Sequence, residues 1–72
     1  MFYVIEVQTY AETGSVIPVA YADRAEAESK YHTVLASASK STVPKHGCML
    51  CTDDLFILKS EVYNHESVTP EE

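Results

Sequence analysis

The stretch Asp23–Lys40, DRAEAESKYHTVLASASK, decides the reading of this chain, because it is the one long segment with unbroken helical periodicity and specified ends. Asp23 is placed to accept from the free N–H groups of a first turn, with Glu26 three residues on to reach back to the cap. Glu26 and Glu28 sit where the helix dipole favours negative charge, and Lys40 where it favours positive charge. At about 100° per residue, Ala27, Tyr31, Val34, Leu35 and Ala38 fall on one arc, the stripe of a helix lying on a sheet. The opposite side carries Ala25, Ser29, His32, Ala36 and Ser39. Those residues are small and mostly uncharged where a purely solvated face would carry Lys and Glu, so the back of the helix is an expected contact surface.

Working outward, Phe2–Tyr10 alternates as a strand, with Tyr3, Ile5, Val7 and Thr9 on one side and Phe2, Val4, Glu6 and Gln8 on the other. The second side begins apolar and ends polar, which predicts that Phe2 and Val4 are covered by something other than the helix. A turn at residues 11–15 leads to a returning strand, Val16–Tyr21, interrupted by Pro18. Proline cannot donate to a ladder, so this strand is expected at an edge or with Pro18 turned from its neighbour.

Beyond the helix, Ser41–Pro44 is a connector, since Pro44 bars helical continuation. His46–Thr52 and Leu55–His65 read as a second hairpin about Asp53-Asp54. A two-residue turn pairs His46 with Glu61, and a longer one moves the partner towards Tyr63. The order predicts an α+β fold: β-β-α-β-β, a four-stranded antiparallel sheet with one helix on one face. Residues 1–65 form the expected domain, and 66–72, with Pro70 and three glutamates, an acidic tail.

One helix cannot cover two sheet faces. Phe2, Val4, Met49 or Leu50, and Tyr63 are therefore expected to leave apolar surface over, to be buried by a homodimer or larger ring. Small size points the same way, because a 72-residue chain buries only about 60 % of its unfolded surface. The expected binding set is Ala25, Ser29, His32, Ala36, Phe2, Val4, Tyr63 and His46.

Charge and chemistry narrow the function. Eleven acidic residues against five basic give a net charge of −6, which argues against general nucleic-acid binding, where phosphates need surplus Lys and Arg. The amino-terminal MFYVIEVQ lacks the basic start and apolar length of a signal peptide or membrane span, so a cytoplasmic protein is expected, and two cysteines agree with a reducing compartment. Cys48 and Cys51 resemble a CxxC site. On a strand, however, residues three apart point to opposite faces, so the pair reads as two buried hydrophobes. His46, Glu61 and His65 form the alternative, a small metalloprotein or hydrolase centre. No phosphate-binding loop or catalytic signature is present, so the expectation is a non-enzymatic protein without metal or cofactor.

The opening FYVIEVQTY, the helix centre EAESKYHTVLASAS followed by S-x-V-P-x-H, and the ending LxTDD…SEVYNH together resemble short phage and prophage proteins of Firmicutes that carry no assigned mechanism. The resemblance implies a binding role in the host cell: inhibiting a host defence protein, sequestering a small signalling ligand, or serving as a structural or accessory virion component.

Overall fold

The computed structural model describes residues 1–65, so the expected tail lies outside the described residues. Four strands, β1 (Phe2–Thr9), β2 (Gly14–Tyr21), β3 (Lys45–Thr52) and β4 (Ile57–Asn64), flank the helix α1 (Arg24–Ser39) in the chain. They form one antiparallel sheet in the order β2-β1-β3-β4.

Asp23 caps α1, its Oδ1 accepting from the Ala25 N–H at 3.2 Å. No return bond from Glu26 forms among the described residues. The buried residues of α1 are Ala27, Tyr31, Val34, Leu35 and Ala38, the complete stripe that periodicity predicts. At the other end, Ser41 N–H and His65 Nε2 both donate to the Ala38 carbonyl. His65 thereby ties the end of β4 to the last turn of the helix.

The faces of β1 are assigned opposite to expectation. Val4 is 1 % exposed and packs with Tyr31, Val34, Leu35, Cys48 and Leu50, while Phe2, Tyr21, Leu58 and Tyr63 flank that cluster. Phe2, Val4, Leu50 and Tyr63 thus share the helix side, and Met49 alone of the expected surplus belongs to the other face. The reason is that α1 straddles the two central strands, where Val4 and Leu50 are direct cross-strand partners. The polar half of this face is accommodated beyond them, where Glu6 and Gln8 stand beside Cys48 and His46.

Pro18 lies on an edge strand, opposite Ile5. In the second hairpin the connection is longer than two residues: Thr52 N–H bonds the Phe56 carbonyl and Leu55 takes a left-handed φ of 67°. His46 consequently pairs with Tyr63, and Glu61 with Cys48. A bulge at Leu50/Cys51 inserts Leu58 into β4. Gly47 permits the close approach of β3 and β4, since a Cβ there would stand 2.6 Å from the Glu61 carbonyl oxygen.

Candidate functional site

Three regions hold the residues with something to offer chemically. The first is buried. Glu6 and His46 come together from adjacent strands, with Nε2 of His46 2.6 Å from Glu6 Oε2. Gln8 Nε2 donates to the same oxygen at 3.0 Å, and Tyr10 O–H donates to Gln8 Oε1 at 3.1 Å. Burial pushes the Glu6 carboxyl up, but the hydrogen bonds from His46 and Gln8 outweigh it, and the net shift is downward from 4.5. An ionised carboxylate only accepts, so Nε2 of His46 carries the proton that meets Glu6, while the buried Nδ1 has no hydrogen-bond partner among the described residues. Because the folded pKa lies below the ordinary one, the pair's contribution to stability is complete above pH 4.5 and is lost as pH falls through the lower folded value. At 5 % exposure His46 has almost no surface for a partner, and the same holds for Val4. Their arrangement serves the core.

The second region is a groove of about 700 Å³ between α1 and β4, lined among others by Tyr31, His32, Ala36, Lys59, Glu61 and Tyr63. The helix is centred over β1 and β3, so β4 is left partly uncovered on this side. Burial, reinforced by the Glu61 charge, holds the Tyr31 hydroxyl above its ordinary pKa and therefore protonated. His32, Ala36 and Tyr63 are three of the expected binding residues, and the structure brings them together here. Ala25 and Ser29 are exposed but do not line the groove, and Phe2 is half-buried beside the core.

The third region is the sheet face turned from α1. By register this side holds Tyr3, Ile5, Val7 and Thr9 from β1, Val16, Pro18 and Ala20 from β2, Met49 and the buried Cys51 from β3, and Ile57, Ser60, Val62 and Asn64 from β4. Val16 and Val62 are 61 % and 63 % exposed. Among the described strand residues the single formal charge on this face is Lys45, at one end. Glu6 and Glu61 are both in register with helix-side residues.

Among the described residues neither alternative set is grouped to hold a metal ion. Cys48 lies in the helix-side core while Cys51 pairs with Tyr3 and Ile57 on the other face, and both are buried free thiols. Burial pushes the Cys48 thiol up to about 11, which keeps it from serving as a thiolate nucleophile near neutral pH. His46 is engaged with Glu6, and His65 with the Ala38 carbonyl while stacked on Tyr63 at 6.2 Å. Among the described residues no three His, Cys, Asp or Glu side chains are grouped to hold a metal ion, and no helix is long and apolar enough to cross a membrane.

Sequence reasoning missed Glu6 as the partner of His46 and missed Val16 and Val62 as exposed apolar positions. The alternation of β1 contains Glu6, but its partner lies forty residues away in the chain. No protein-family model matches the chain, and neither a curated protein nor a solved structure matches it significantly.

Proposed function

We propose that this chain is a non-enzymatic binding protein of phage type that works as a homo-oligomer, with the open sheet face buried between subunits. The observation that carries this reading is the composition of that face among the described residues: apolar over its middle on all four strands, with Thr9, Lys45 and Asn64 at one end, and free of acid in a chain of net charge −6. Four strands of eight residues present roughly 19 by 26 Å, a footprint of about 500 Å² before side-chain corrugation is counted. The whole face, its polar end included, is of the size of the larger patches monomers leave uncovered and is somewhat smaller than the about 800 Å² per partner of a standard stable interface. A second copy suits the face because two acid-free surfaces meet without the repulsion that the rest of the molecule would impose.

The target bound by the assembly follows from the resemblance to phage proteins: a host defence protein or a small signalling ligand, held in the α1–β4 groove where aromatic, cationic and anionic groups converge. Sedimentation velocity of the full chain across a wide concentration range tests the assembly. A species larger than the monomer, reduced in size by Val16→Glu, supports it; a monomer throughout overturns it.

A further inference from the structure

The two edges of the sheet are not equivalent. The hairpin of β1 and β2 is closed by the Tyr10 N–H bonding the Thr13 carbonyl at 2.8 Å. Antiparallel pairs alternate between hydrogen-bonded and non-hydrogen-bonded, so Gln8, Glu6 and Val4 face β2 with their backbone groups while Ile5 faces β3. Pro18, opposite Ile5, therefore sits with its nitrogen on the outer side of β2. It removes a donor from the middle of that free edge, which is how natural sheets prevent a further strand from adding.

The same count across the sheet reaches β4. Thr52 N–H bonds the Phe56 carbonyl, so His46, Cys48 and Leu50 likewise direct their backbone groups to β4, meeting Tyr63, Glu61 and Lys59. Ser60 and Val62 are left with their backbone groups directed outward from an edge strand, ILKSEVYN, that contains neither proline nor glycine. Lys59 and Glu61 flank Ser60 on the helix side. Isolated charges guard an edge, but opposite charges two positions apart are self-complementary when the strand meets its own antiparallel copy. With Ser60 opposite Ser60 of a second copy, each Lys59 faces Glu61 of the other, in the non-hydrogen-bonded position where side chains approach most closely. Registers centred on Lys59 or on Glu61 instead oppose like charges.

We propose that two copies pair antiparallel through β4, centred on Ser60, to form a continuous eight-stranded sheet. The α1–β4 groove is then a subunit boundary: Lys59 and Glu61 line it in each copy, and those of the second copy close its open side. The observations are independent of the open-face contact, and the two contacts together give a tetramer of two sheets packed face to face. Pro18 confines edge growth to one side, so the sheet closes at two copies instead of polymerising.

Disulfide trapping in the full-length protein tests this. Paired β residues in hydrogen-bonded register have the Cα separation that a disulfide needs, so Ser60→Cys under mild oxidation forms a covalent dimer about tenfold faster than Val62→Cys, which is not opposite itself. Both positions are exposed, and the native thiols are buried. Equal rates, or no trapping at Ser60→Cys, overturn the proposal. Charge reversal gives a second reading: Lys59→Glu and Glu61→Lys each dissociate the pair, and the double variant restores it. Restoration failing while the Val16→Glu variant still shrinks the assembly would leave the face contact standing and remove the edge contact.

Discussion

The two faces of the sheet invert the usual relation between polarity and burial. The covered face holds Glu6, Gln8, His46 and Glu61 along with Val4 and Leu50, whereas the open face is Tyr3, Ile5, Val7, Val16, Met49 and Val62 with hardly a charge. Coverage by α1 is therefore not set by which side of each strand is more apolar. It is set by where a short stripe of Ala27, Tyr31, Val34 and Leu35 finds two large partners in adjacent central strands, and polar groups beyond that contact are admitted because they satisfy one another. Among the described residues the open face has apolar area without such a partner, and that contrast is the reason for proposing it as an assembly surface.

Substitutions on the covered face should produce the largest effects on stability. Leu50 is completely buried, so Leu50→Ala should cost about 2–5 kcal/mol in urea unfolding, whereas the equally apolar Val62→Ala should stay within about 0.5 kcal/mol in the dissociated protein. Near-equal losses would erase the distinction between the faces. Gly47→Ala comes next, at about 1–3 kcal/mol, because the added methyl meets the Glu61 carbonyl and the Val62 Cα across a main-chain contact that has little room to yield.

The polar pair sharpens the comparison through pH. Glu6→Gln should cost about 1–2 kcal/mol at neutral pH, as a charge-assisted hydrogen bond is replaced by a neutral one. Wild type should then lose more stability than the variant as pH is lowered below 4.5, since the depressed Glu6 pKa supplies stability only while the carboxylate is ionised. Parallel pH profiles for the two proteins would show the pair to be energetically idle. Smaller again than the pair's effect, Asp23→Ala should cost about 1 kcal/mol by leaving the Ala25 N–H without its cap.

The sequence disclosed the helix almost completely, because a 3.6-residue stripe and an Asp cap are local signals, and all five stripe residues are buried. Four strands and their order were legible for the same reason, as was Pro18 as an edge marker. What stayed hidden depended on contacts distant in the chain. β1 is apolar on both sides at its start, so alternation could not say whether Val4 or Ile5 meets the helix; Leu50 and the Glu6–His46 pair decide it from β3. The register of the second hairpin turned on the left-handed Leu55, a conformation that leucine rarely adopts and that no turn rule places there. Of the expected binding residues, His32, Ala36 and Tyr63 meet at the groove, while Val4, expected as apolar surface left over, and His46 are buried in the core.

The claim that the open face is a subunit interface is tested most directly by a matched pair on β2. Val16 and Ile17 are neighbours, both exposed, at 61 % and 44 %, and they point to opposite faces of the sheet. Native mass spectrometry of Val16→Glu and Ile17→Glu beside wild type should show the assembly reduced by the first substitution and intact with the second. Equal masses for all three proteins, or dissociation by Ile17→Glu alone, would contradict the account.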